Sequence, residues 1–556
     1  MIKRQRNTKV AVSNAVKLMI AGGLSISAVQ TIQAAEPTPP TPPPTYTRAP
    51  MAAYNFAMDD ALLGNSYEKP VWNLHDTLHL PDWLTVGVEN RTRYETLSDS
   101  FKPSQKYPAI KAGGGDQQIA IQSDIWIQAK FGKFRFATEF MDSRALQSDA
   151  GTNKTPNPPN NTMVDTADFT QAYASWADQN AFYSGYGVEV KAGRQTMDLG
   201  SRRLVARPIY RNTVNNFTGL RIRLLDYDRW QFNAFGTMPV IRYPNYLTTP
   251  AGGNPNLIAP NADLLVNGNQ QWDREDTQTF FSGGILEGYN VIKNINSEVF
   301  LYNLNEGDST NNPTRNRQYF TPGLRFYIRP NKGDFDFVAE GMGQFGTVQY
   351  NTSVNNQQQN HQAWSEHVEA GYSFDLPMNP RFLVEYDWAS GSKSSKYSKG
   401  ATDGRFDPLY GASDLDFGSS SIYSSFQRSN INSPGARFNF TPRSNVIISL
   451  QNRAVWLASS GDCWGGPSCS SAVSPGLIGN TKGTSGSYVG DQIGASTRYN
   501  YNSSFNIEAG WFHLFKGQFA KTGISTVSST SNANAPGVST PGGDTNYFYV
   551  TSQLRF

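Results

Sequence analysis

The sequence predicts an all-β chain: a transmembrane antiparallel β-barrel of about 18 strands with short periplasmic turns and long extracellular loops. Three observations carry this. Apolar and polar residues alternate with a period of two from Trp83 to the last residue, the signature of strands with two different faces. The connections between alternating segments are long and short in turn, as in a barrel threaded through a membrane from one side. The final segment, YFYVTSQLRF, places Phe548, Val550, Leu554 and the terminal Phe556 on one face, the form of a closing strand that the outer-membrane barrel-insertion machinery reads.

The chain opens with an address. Lys3, Arg4, Arg6 and Lys9 precede a mildly apolar stretch that closes on Ala34 and Ala35. Residues 1–35 therefore read as a secretory signal peptide, and Lys17 within the apolar part argues against a membrane anchor. Residues 36–50, EPTPPTPPPTYTRAP, form a proline-rich linker, extended because proline fixes the backbone and removes a donor. Residues 51–82 lack sustained alternation and read as a periplasmic lead-in with a helical turn; residues 83–556 form the barrel.

Within the barrel the two faces separate cleanly. LTVGVENRTRYE sets Leu84, Val86 and Val88 against Glu89, Arg91, Arg93 and Glu95. KFRFATEF sets Phe134, Phe136 and Phe140 against Arg135 and Glu139, and RFLVEYDW sets Phe382, Val384, Tyr386 and Trp388 against Arg381, Glu385 and Asp387. Eighteen strands are predicted to start near Leu84, Gln117, Lys133, Asp168, Gly187, Thr218, Trp230, Gln278, Ser297, Gln318, Phe335, Gln362, Arg381, Gly435, Asn445, Tyr488, Phe505 and Thr545. A soluble sandwich also alternates, so loop length decides. Long connections include 96–116, 143–167, 196–217, 239–277, 391–434, 458–487 and 516–544; short ones include Gly132-Lys133, Tyr227–Arg229, Pro330–Gly333 and Asn502–Ser504. Short turns follow even-numbered strands, which puts both chain ends in the periplasm. About 16–18 strands leave an aqueous channel, whereas about 8 would be filled by side chains.

Charge is placed locally. Formal charge is +3, but the signal carries five basic residues and no acid, leaving 43 basic against 45 acidic residues. Nothing in that balance suggests nucleic acid. After the signal, no apolar run approaches the roughly 18 residues of a transmembrane helix. Cys463 and Cys469, in the loop-like SSGDCWGGPSCSS, are expected to form a local disulfide in an oxidising compartment. No further ligands accompany them, so neither metal nor cofactor is expected.

The stretch Gly193–Arg223, GRQTMDLGSRRLVARPIYRNTVNNFTGLRIR, reads as strand, basic connection, strand. It holds Arg194, Arg202, Arg203, Arg207, Arg211, Arg221 and Arg223 against one acid, Asp198. The planar guanidinium presents forked donors and stays charged, which suits a passage for carboxylates. The candidate pathway residues are Arg91, Arg93, Arg135, Arg144, Arg194, Arg203, Arg207, Arg221 and Arg223, with Glu89, Glu95, Glu139 and Asp142 as ion-pair partners that hold them extended. Parity turns Gln195 inward and Arg194 outward. The bland alternative is a set of wall ion pairs that stiffen the barrel.

These segments resemble the alginate-export outer-membrane family. ENRTRYE (Glu89–Glu95) looks like its first strand, and FRFATEFMDSRA (Phe134–Ala145) like its E-F-x-D-S/A-R segment. The basic stretch matches the block G-R-Q … G-S-x-R-L-V … N … F-D-G-x-R at Gly193, Arg194, Gln195, Gly200, Ser201, Arg203, Leu204, Val205, Asn212, Phe217, Gly219 and Arg221; Tyr210 stands where Trp is usual and Thr218 where Asp is usual. The resemblance implies an 18-stranded porin in the outer membrane of a Gram-negative cell, with an electropositive constriction for an anionic polysaccharide such as alginate. A periplasmic export complex would be a further partner.

Other classes fit less well. A general or organic-acid uptake porin shares every barrel feature. A surface adhesin would place function in the long connections 239–277 and 391–434. A barrel hydrolase needs a nucleophile oriented by histidine, yet His75, His79, His361, His367 and His513 sit in no such constellation and read as rim or periplasmic residues. No enzymatic activity is expected.

Overall fold

The computed structural model describes residues 70–99, 115–147, 162–242, 272–309, 313–349, 358–393, 402–419, 421–423, 426–464, 478–479, 486–522 and 543–556. The signal peptide, the linker, most of the lead-in and Cys469 lie outside these residues, as does the side chain of Cys463.

Eighteen strands form the wall: β1 Leu84–Ser98, β2 Asp116–Phe131, β3 Phe134–Leu146, β4 Asp165–Asp178, β5 Gly187–Gln195, β6 Phe217–Asp226, β7 Trp230–Ile241, β8 Thr279–Ile292, β9 Ile295–Glu306, β10 Gln318–Ile328, β11 Phe335–Gln349, β12 Gln358–Ser373, β13 Arg381–Ala389, β14 Ile431–Arg443, β15 Val446–Trp456, β16 Tyr488–Asn500, β17 Phe505–Lys516 and β18 Thr545–Arg555. Each pairs antiparallel with its neighbours in sequence. The last strand closes on the first, with Glu89 opposite Arg555 and Ser98 opposite Asn546. Connections after even strands stay short, as at 132–133, 227–229, 293–294 and 444–445; those after odd strands include 196–216, 242–278 and 390–430.

The burial pattern is inverted relative to a water-soluble protein. Ile125, Ile127, Phe134, Phe136, Val299, Leu301 and Val384 are exposed on the outer face, while Gln122, Gln128, Glu139 and Arg381 are buried on the inner one. Such a face belongs in lipid. Aromatics ring the short-turn end, periplasmic in barrels of this class, where Trp83 stacks on Phe131 and Tyr186 meets Trp230. They recur at the opposite end, where Phe169 stacks on Trp272 and Trp456 meets Tyr488. The described part of the lead-in makes one helical turn, Leu74–Thr77, capped by the Asn73 side chain. It docks at the short-turn end: the amides of Val71 and Trp72 donate to Ser503 and Ser504, and Trp72 stacks on Phe556.

Among the described residues, the lumen is filled from within by 196–216 and the described part of 390–430, with Leu457, Trp464 and Phe519 of later connections joining the same cluster. Leu204, Val205 and Tyr210 of the first pack with Phe406, Phe417, Tyr423 and Phe426 of the second, and with Phe217, Phe281, Tyr302 and Tyr547 from the wall. Backbone bonds join the two connections: Ala206 N–H donates to the Tyr410 carbonyl at 3.1 Å and Tyr410 N–H to the Leu204 carbonyl at 3.0 Å. Gly411 permits this approach, since a Cβ there would meet the Arg203 carbonyl oxygen at 1.8 Å. The connection 391–434, predicted among the long loops of the extracellular side, folds into the lumen over its described residues 402–419, 421–423 and 426–430, because Phe406, Phe417, Tyr423 and Phe426 bury against the inner wall.

Candidate functional site: the inward connections and their charged walls

The basic connection is organised by its single acid. Asp198 accepts from Arg202 Nε at 2.8 Å and from the Arg207 amide at 2.9 Å, and Arg202 donates on to the Arg207 carbonyl. The resulting tight turn points Arg203 and Arg207 at different walls. Arg207 forms a forked pair with Glu139 of β3, at 2.7 and 2.9 Å, and Glu139 also accepts from Gln171 and Thr170 of β4. Arg203 donates to Glu340 of β11 at 2.7 Å and forks onto Asp416 of the second connection at 3.2 and 3.0 Å. Burial alone would lower both guanidinium pKa values. The carboxylates facing them (Asp416 and Glu340 for Arg203, Glu139 for Arg207) more than offset it, and both are held above their ordinary range.

The other predicted arginines fall into four settings. Arg91 and Arg93 of β1 reach inward and hold the backbone of the basic connection. Arg91 donates to the carbonyls of Ile209 and Arg211; Arg93 donates to that of Tyr210 at 2.6 Å, lies 4.0 Å above the Tyr210 ring, and pairs with Glu95. Arg221 and Arg223 face inward on β6 and donate to Asn233 and Gln231 of β7; Arg135 is buried near the short-turn end of β3. Arg194 stands at the opposite mouth on the outward parity the sequence predicted, bound to Asp168 and Glu275. Arg144 needs correction. It pairs with Asp142 at 2.7 Å, and both share the parity of Phe140 opposite Ile121 and Ser123 of β2, which is the outward face. Glu89 is held by Arg555 and Gln553.

Sequence reasoning missed a second network. Asp416 pairs with Arg428 as well as Arg203, Arg428 with Asp387, and Asp387 with Arg453, which also meets Glu385. Nearby, Asp407 accepts from Arg317 at 2.7 Å and Tyr319 at 2.6 Å, and Arg405 pairs with Asp462. His361 and His367 are corrected from rim positions: both are buried on the inner face of β12, and His367 Nδ1 lies 2.8 Å from Asp387. The oxygens of Asp387 and Asp416 converge with His367 closely enough to hold a metal ion, but Arg203, Arg428 and Arg453 already supply the positive charge there. The signal was in the sequence as Arg405, Asp407, Asp414, Asp416 and Arg428 in a glycine- and serine-rich stretch; that composition reads the same whether the loop turns out or in.

Asn212 and Asn215 were not singled out as site residues, yet they fasten the connection. Asn212 donates to the carbonyls of Ile121, Arg144 and Met163, while its own carbonyl accepts from Gln122 and Ser143. Asn215 Oδ1 accepts from Arg211 at 2.6 Å and Arg242 at 3.3 Å. Burial, with Arg242 beside it, holds the Arg211 guanidinium well below its ordinary range despite Asp414 and Asp165.

The family model for alginate export matches residues 82–534. No curated protein matches the chain. Among solved structures, OccAB1 of Acinetobacter baumannii is 12% identical over 85% of this chain and 97% of its own, with a TM-score of 0.45. OccK5 (OpdH) of Pseudomonas aeruginosa is 11% identical over 85% and 98%, TM-score 0.47, and OccK8 (OprE) of the same organism 10% identical over 85% and 98%, TM-score 0.48.

Proposed function

The chain belongs to the alginate-export family, and we propose from that membership that its barrel is an outer-membrane conduit for an acidic polysaccharide of the polyuronate type, not an enzyme. The observation that carries the reading is the pair Arg203 and Arg207, presented on a connection folded into the lumen, each forked onto carboxylates. A polyuronate carries one carboxylate per sugar. It can exchange for Glu139, or for Glu340 and Asp416, at the same forked donors with little change in geometry. Stripping a buried carboxylate of its partner is costly, so exchange accompanies withdrawal of the connection from the wall. Repeated weak sites let the polymer move on. Because the cations are paired, anion preference comes from which partner is displaced rather than from a bare positive ring.

The test is a planar-bilayer recording of the refolded mature protein under a salt gradient, with alginate added afterwards. An anion-selective reversal potential with concentration-dependent block supports the reading. Anion selectivity without block moves the solute to small organic acids, and cation selectivity without block overturns the proposal.

A further inference from the structure

We propose a phospholipid site on the outer wall at the short-turn end of β6–β9, with one acyl chain in an apolar groove and the headgroup phosphate on Arg229. The groove encloses about 550 Å³ and is lined by Leu224, Trp230, Phe232, Leu286, Val291 and Val299, with Gly288 and Ser297 at its floor and Arg229 at its edge.

Strand register explains the shape. Leu224, Phe232, Leu286 and Val299 form one outward row across four strands, and Trp230, Gly288 and Ser297 form the next row toward the turns. Two rows span about 7 Å along the strands. Val291 folds over Gly288 in the second row, where a Cβ would meet Val291 Cγ2 at 2.6 Å and Ser297 Oγ at 3.2 Å, so the groove runs between the Val291 side chain and the row of Leu224, Phe232, Leu286 and Val299. Bulky walls on both sides of the small residues Gly288 and Ser297 make a groove for a linear chain on an otherwise flat apolar band.

The rim supplies the headgroup chemistry. Arg229 is 78% exposed and its Nε stands 3.7 Å from Asp226, so its fork reaches the interface while its stem lies on the groove. Lys293 and Asp228 are also exposed, in the two turns that bound the site. Cations beside a carboxylate match a phosphate–ammonium headgroup, which commits the site to a zwitterionic phospholipid such as phosphatidylethanolamine.

The full chain, delipidated in detergent, would be titrated with phosphatidylethanolamine and read by native mass spectrometry, with barrel closure checked by heat-dependent gel mobility. One saturable bound lipid is expected. Ser297→Phe, which fills the slot, removes it; Arg229→Glu weakens it about fivefold, the scale of one basic residue at a headgroup. Val368→Phe, on the outer face of β12, leaves it unchanged. Wild-type binding in both groove variants, or equal loss in Val368→Phe and Ser297→Phe, would overturn the site.

Discussion

The two inward connections fill one lumen with opposite charge logic. The first, 196–216, brings cations to a wall of carboxylates and is gripped by its own backbone, through Arg91 and Arg93 of β1 on the carbonyls of Ile209, Arg211 and Tyr210. The second brings both signs: Asp407 and Asp416 accept from Arg317 and Arg203, while Arg405 and Arg428 reach Asp462 and Asp387. Arg203 belongs to the first and bonds the second, so it couples them. A one-signed segment against a complementary wall can withdraw as a unit and leave its cations to a new anion. The mixed segment is held by partners of both signs on several elements, with one internal pair, Asp416–Arg428. Under the proposed function, the segment whose cations a solute would take over is 196–216.

The largest break in the comparison is Arg203→Ala. It takes the ion-pair partner from Glu340 and one of two from Asp416, which keeps Arg428; both acids are buried, and removal of one member from a buried pair costs about 3–5 kcal/mol. Hydrogen exchange should rise in both connections. Arg207→Ala strands Glu139 alone, so exchange should rise along 196–216 and stay near wild type across 402–419; a rise in both would erase the distinction. Acidification separates the two from the other side. Burial raises the Asp407 carboxyl, but Arg317, the Tyr319 hydroxyl and the Leu409 amide hold it below the ordinary range. A depressed pKa contributes stability above the ordinary value of about 4 and loses it as pH falls through the lowered one. Proteolytic protection of the second connection should hold from pH 7 to 5 and fall below about pH 4, an effect that Asp407→Asn removes. The smallest effect belongs to Arg144→Ala. Its pair with Asp142 is partly exposed on the outer face, worth about 0–1 kcal/mol, and neither connection should respond.

Much of the wall was legible. All eighteen strand starts lie within four residues of the predicted ones, because alternation with a charged second face has no other economical reading. The pair Arg93–Glu95 joins residues that spacing had already placed on one face. Legibility failed where both faces are polar. Around His361 and His367, β12 presents Asn360, Gln362 and Glu366 outward, so periodicity could not turn the histidines inward. It failed at Arg144 because the last turn of a strand beyond the lipid band is no longer obliged to be apolar. It failed for 402–430 because inward folding depends on long-range partners such as Arg203 and Arg317, which no local pattern records.

The most direct measurement is alginate block of the doubly neutral variant Glu139→Gln/Arg207→Gln against wild type in planar bilayers. The pair is removed without changing net charge, and two amides can still hydrogen-bond. If uronates exchange at this arginine, block should weaken about tenfold, the scale of a charge-assisted hydrogen bond, with reversal potential largely kept. Block of wild-type strength in the folded variant would mean that Arg207 and Glu139 only stiffen the wall, and would contradict the account.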